Sequence, residues 1–114
     1  DVVDAAGFER IRTFEEYDGR YTAPLHGFRD AHDYWHRCSS RRYLHGLCVP
    51  TLLVNAADDP FLPPACYPVE EARGHPFFRL EIPAYGGHLG FVAFSGDGRY
   101  WSERRAVDFL AAGR

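Results

Sequence analysis

The chain has 114 residues, 46% of them hydrophobic and 25% charged, with a formal net charge of −3. That apolar content is too high for a disordered segment, and the charged share is that of an ordinary globular chain. A pI of about 6.0 gives no pull toward nucleic acid, and the longest apolar run, around Thr51 to Val54, falls far short of the ~20 residues of a transmembrane segment.

Residues 1–29 are mixed and turn-rich, with Phe8, Phe14, Tyr17, Tyr21 and Phe28 spaced irregularly. A short helix is expected somewhere within Asp4–Glu16. The stretch from Asp30 to Cys38 predicts a helix. Asp30 can cap it, Asp33 suits its first turn, and Ala31, Tyr34, Trp35 and Cys38 share one face. Ser39-Ser40-Arg41-Arg42 ends it.

Val49 to Asn55 predicts a strand whose continuous apolar run suits a parallel strand buried on both faces, with Pro50 tolerated at its start. Ala57-Asp58-Asp59-Pro60 is a loop, and Pro63-Pro64 can begin a short helix reaching about Arg73. Phe78 to Ile82 predicts a second strand, alternating apolar residues with Arg79 and Glu81, one face toward solvent. Gly86-Gly87-His88 follows a short turn. Trp101 to Ala111 predicts an amphipathic helix, with Ala106, Val107, Phe109, Leu110 and Ala111 on one arc and Arg104, Arg105 and Asp108 opposite.

The expected fold class is therefore α/β, with residues 1–45 a helical and irregular region and 46–114 a core of parallel strands with flanking helices. Two strands make a marginal sheet, and the first one demands neighbours. The chain lacks an initiator Met and contains no Met at all. Together these features suggest a fragment of something larger.

In open α/β sheets, functional groups gather past the C-terminal ends of the strands. Asp59 stands there after the first strand and His88 after the second. A carboxylate so placed can accept from one imidazole nitrogen and leave the other free as a base. The order acid then histidine, late in the chain, is that of α/β-hydrolases, whose triad runs Ser, Asp or Glu, His.

The stretch Val-Pro-Thr-Leu-Leu-Val-Asn-Ala-Ala-Asp-Asp-Pro-Phe-Leu-Pro-Pro (49–64) resembles the acid-bearing segment of the YheT-like α/β-hydrolases. These are an esterase group that includes abhydrolase-domain proteins related to lipid metabolism. Gly-Gly-His-Leu-Gly-Phe (86–91) resembles their histidine segment. Thr-Ala-Pro-Leu-His-Gly-Phe (22–28), Asp-Tyr-Trp (33–35) and Cys-Ser-Ser (38–40) resemble the region before the acid strand. The resemblance spans roughly residues 8 to 112. It implies the C-terminal part of an α/β-hydrolase. The acid directly before Pro-Phe is Asp59 rather than Asp58, and the histidine is His88.

The nucleophile elbow Gly-x-Ser-x-Gly is missing, since Ser39, Ser40, Ser95 and Ser102 all stand outside such a motif. The resemblance thus implies part of a serine-dependent carboxylic ester hydrolase acting on a small-molecule or lipid ester. The serine lies in a missing N-terminal half, and this chain alone is expected to be inactive. The alternatives are a non-catalytic remnant or interaction module, and an acyltransferase on the same scaffold.

No cofactor and no metal is implied. His32 and His36 share a helical face but lack the Glu of a zinc-protease helix. With His26, His45 and His75 they read as ordinary histidines. Asp58 reads as a solvated neighbour, and Phe61, Phe91 and Phe94 as core aromatics. Cys38, Cys48 and Cys66 are odd in number and form no Cys-x-x-Cys pair, which suits reduced thiols and a cytoplasmic location.

Overall fold

The structure is a computed structural model that describes residues 4–92 and 98–113. Phe94 and Ser95 lie outside the described residues. The chain divides into two compact units, Asp1–Ser40 and Arg41–Arg114.

The first unit is helical. Thr13 starts α1 (Phe14–Tyr17) with a reciprocal capping box: its hydroxyl accepts from the Glu16 N–H at 3.2 Å, while the Glu16 carboxylate accepts from the Thr13 N–H at 3.1 Å. The chain then passes through a π-helical stretch, Asp18–Thr22, into α2 (Ala23–Leu25). Gly27, at φ 74°, turns it off. The Gly27 N–H bonds Pro24 O at 3.3 Å and the Phe28 N–H bonds Ala23 O at 2.8 Å, the two bonds of a Schellman end. The sequence suggested a short helix within Asp4–Glu16. A 3-10 turn, Phe8–Arg10, and the first three residues of α1 fall within that stretch. The longer helical run, residues 14–25, extends past it, and its π insertion breaks the 3.6-residue period that would have revealed its full length. Asp30 caps α3 (Ala31–Cys38) as expected, accepting from the Asp33 N–H at 2.8 Å. Asp18 holds α3 to the π turn, accepting from Trp35 Nε1 and from Thr22 Oγ1, each at 2.7 Å.

A 3-10 stretch, Ser40–Gly46, opens the second unit from the last residue of the first and leads to β1 (Thr51–Val54). This strand pairs in parallel with β2 (Phe78–Glu81), Thr51 opposite Phe78 and Val54 opposite Glu81. The α/β class with parallel strands and flanking helices is as read from the sequence. β1, expected to be buried on both faces, is only half-buried, because β2 is its only strand partner among the described residues. The ladder continues past the strands, with the Asn55 N–H on Glu81 O at 3.2 Å and the Ala57 N–H on Pro83 O at 2.8 Å. The two exits therefore leave the sheet side by side.

The helix expected from Pro63 to Arg73 is broken in two. A 3-10 turn covers Pro64–Cys66 and α4 covers Val69–Ala72. Pro68 is the reason, since the residue before a proline is driven to extended backbone, and Tyr67 sits at φ −74°, ψ 121°. Helix α5 (Trp101–Ala111) has the bounds the sequence suggests. Its Arg105, however, does not face open solvent. It forks onto Glu81 of β2, with Nε 2.7 Å from Oε2 and the second nitrogen on Oε1, and so fastens α5 to the sheet.

Candidate active site

The two strand exits build the site. β1 ends in Asn55-Ala56, and the Ala56 methyl is wholly buried. The chain turns there, the Asp59 N–H donating to Ala56 O at 3.3 Å. The Asp59 carboxylate points inward, and its side chain is 1% exposed. Its Oδ1 accepts from the Phe61 N–H at 2.8 Å, closing a turn around Pro60. Its Oδ2 lies 2.9 Å from His88 Nδ1.

His88 is carried by a glycine pair with separate reasons for each member. A Cβ on Gly86 would stand 2.6 Å from the Phe91 ring and 2.9 Å from the Ala56 methyl, so only glycine lets the two exits approach this closely. Gly87 adopts φ 59°, the left-handed region that glycine enters freely. Phe91 itself sits at φ 44°. It is held there by its N–H on Gly86 O at 2.9 Å and by its ring stacked on Trp101, centroids 5.7 Å apart.

Charge follows from these contacts. Burial works against ionising Asp59, yet the Phe61 N–H, the His88 ring and the Leu62 N–H together hold its carboxyl below the ordinary aspartate range. An ionised Asp59 can only accept, so Nδ1 of His88 carries the proton and Nε2 is the nitrogen with a free lone pair. The His88 side chain is 47% exposed. It borders a concave, largely apolar face of about 630 Å³ lined also by Leu53, Phe91, Ser102, Ala106 and Phe109. Ser102 reaches this face from the second residue of α5, not from a Gly-x-Ser-x-Gly turn.

The structure brings together Asp59 and His88, the two residues singled out as acid and base. Sequence reasoning missed three neighbours. Asp58 is exposed, as expected, but it is more than solvated: its Oδ1 accepts from the Gly87 N–H at 2.8 Å. Phe61 is not a core aromatic. It is 68% exposed, with its ring edge-on to His88 at 4.9 Å. Phe91 supports the glycine pair. The Asp-Pro-Phe resemblance already assigns Asp59 to His88, whereas the bond from the Gly87 N–H to Asp58 leaves no signal in the sequence.

Elsewhere, His32 Nε2 is 3.0 Å from Glu15 Oε1, and Cys38, Cys48 and Cys66 are free and exposed. Among the described residues no cluster of three or more His, Cys, Asp or Glu could hold a metal ion, and no helix is long and apolar enough to cross a membrane.

Two parallel strands delivering an acid and then a histidine to one rim is an α/β-hydrolase arrangement. The chain is homologous to a portion of the YheT-like, abhydrolase-domain members of that class, and so is related to their esterases, lipases and phospholipases. It is 35% identical over 100 residues to an abhydrolase domain-containing protein of Dictyostelium discoideum, with 88% of the chain and 25% of that protein aligned. It is 37% identical over 92 residues to phospholipase ABHD3 of Mus musculus, covering 81% of the chain and 22% of the phospholipase. To YheT of Escherichia coli it is 33% identical over 109 residues, covering 95% and 32%. The chain thus spans about a quarter to a third of these curated relatives. No protein-family model matches it, and no solved structure gives a significant match.

Proposed function

We propose that this chain supplies the acid and base of a serine-dependent carboxylic ester hydrolase, and that the nucleophilic serine and the oxyanion-binding groups come from sequence outside these residues. The observation that carries the reading is the buried Asp59 carboxylate 2.9 Å from Nδ1 of a half-exposed His88. With Nδ1–H held on Asp59, Nε2 takes the serine proton as the hydroxyl attacks the ester carbonyl. The same nitrogen returns that proton to the departing alcohol. Water then repeats the cycle on the acyl-enzyme. Asp59 keeps its charge throughout and stabilises the imidazolium. The relatives named phospholipase and monoacylglycerol lipase favour lipid esters as the substrate class.

The test is p-nitrophenyl ester hydrolysis by the complete reading frame containing this chain and by the 114-residue chain alone. The complete protein should turn over substrate and lose activity on His88→Ala, while the isolated chain should not exceed a His88→Ala control. Full activity of the complete protein after His88→Ala would sink the reading. Turnover by the isolated chain that vanishes with His88 would place the nucleophile within these residues.

A further inference from the structure

We propose that Asp58 is a positioning residue for His88: its carboxylate latches the Gly87 N–H across the rim and fixes where the imidazole stands. The role follows from the hydrolase reading of the Asp59–His88 pair, but it stands on separate contacts.

Adjacent residues of one loop reach the same partner loop in two ways. Asp59 goes inward to the His88 ring at 2.9 Å, and Asp58 goes outward to the peptide N–H of Gly87 at 2.8 Å. Gly87 directly precedes His88 and sits at φ 59°. A glycine there is free to adopt many other conformations, and the backbone entropy it loses in holding this one must be offset. A hydrogen bond from an N–H to a charged acceptor is among the stronger ones available. Behind the glycine pair the backbone is already limited, since the Phe91 ring and the Ala56 methyl fill the space beside Gly86. Asp58 closes the open side. The loop is thus held by packing at Gly86 and by a carboxylate at Gly87, one residue before the base. A displacement of ~1 Å at a reacting group can cost 10²-fold in rate, so a latch here acts on turnover without touching substrate.

The experiment compares Asp58→Ala and Asp58→Asn with wild type in the complete reading frame, by amide exchange, imidazole ¹⁵N NMR and ester kinetics. In Asp58→Ala, the Gly87 amide should lose protection and the His88 Nδ1 resonance should shift, while the β1–β2 amides keep theirs. The kcat should fall about 10²-fold with KM nearly unchanged. Asp58→Asn keeps an oxygen acceptor and should stay within about tenfold of wild type. Loss of Gly87 and sheet protection together would mean a general structural role and overturn the proposal, as would protection lost at neither place. An unchanged kcat in Asp58→Ala, measured against an active wild type, would also overturn it. An inactive wild type with the expected NMR changes would remove the hydrolase reading and leave the latch standing.

Discussion

Two carboxylate–base pairs lie on the same small sheet and do different work. At the sheet's exit, Asp59 meets His88 through one oxygen. At the last residue of β2, Glu81 meets Arg105 through both. The guanidinium is charged at every pH of interest and matches the carboxylate as a fork, so this pair fastens α5 and has no chemistry left over. The imidazole spends one nitrogen on its carboxylate and keeps the other. The surroundings differ accordingly. Glu81 and Arg105 are partly exposed, whereas the Asp59 side chain is closed off and its partner ring faces an apolar hollow. The more hydrogen-bonding capacity a pair consumes internally, the less it can offer a substrate.

The largest expected effect separates the pairs outright. In the complete protein, Asp59→Asn should cost on the order of 10⁴ in kcat, because the neutral amide no longer favours the Nδ1–H tautomer or the imidazolium. Glu81→Gln should leave kcat within about threefold. The measurement is ester kinetics, with folding checked by circular dichroism. Comparable losses at the two positions would erase the distinction between them.

The second effect concerns the approach of the two exits. Gly86→Ala would drive a methyl into the Phe91 ring and the Ala56 methyl, and such overpacking costs about 1–3 kcal/mol. Rim displacement should lower kcat about 10²-fold as well. Gly90 offers the control, since a Cβ there meets nothing closer than 3.6 Å, and Gly90→Ala should move neither quantity appreciably. Chemical denaturation and kinetics on both variants decide it. A Gly86→Ala protein as stable and active as wild type would show that the exits need not approach so closely.

These contrasts also mark what could be read from the sequence. Helix α5 was legible from end to end because its apolar arc repeats at helical spacing and nothing interrupts it. Both strands and the strand-exit positions of Asp59 and His88 were legible from apolar runs and from chain order. The helical run at 14–25 was not, because the π stretch Asp18–Thr22 shifts the phase of its aromatics. Arg105 looked like a solvent-facing residue because its partner Glu81 is 24 residues away. The Asp58–Gly87 bond hid for a similar reason: its donor is a backbone N–H, which carries no mark in the side-chain pattern. Local periodicity reports which face of an element is apolar, and it says nothing of which polar group a distant loop will present.

The smallest expected effect probes the fastening pair by acid. Arg105 holds the Glu81 carboxyl below the ordinary glutamate range through its hydrogen bonds, against a burial penalty. A carboxyl depressed on folding stabilises the native state fully above its unfolded value of about 4.3, and that contribution is lost as pH falls through the lower folded value. Asp59 is depressed in the same direction, so its carboxylate likewise loses its contribution only as pH falls through its own lowered folded value. In the complete protein the share of the melting temperature that these two carboxylates supply should therefore stay level from about pH 7 to about pH 5 and decline below that. Glu81→Gln removes one of the two contributions. At neutral pH it should lower the melting temperature by a few degrees, and as pH falls through the depressed folded value of Glu81 its curve should converge on that of wild type, because the wild-type glutamate then becomes neutral as well. Asp59→Asn should converge in the same way while differing in activity by orders of magnitude. A Glu81→Gln curve that runs parallel to wild type down to acid would show that the Arg105 fork contributes nothing that depends on charge, and α5 would then be held without it, through contacts such as the stack of Trp101 on Phe91.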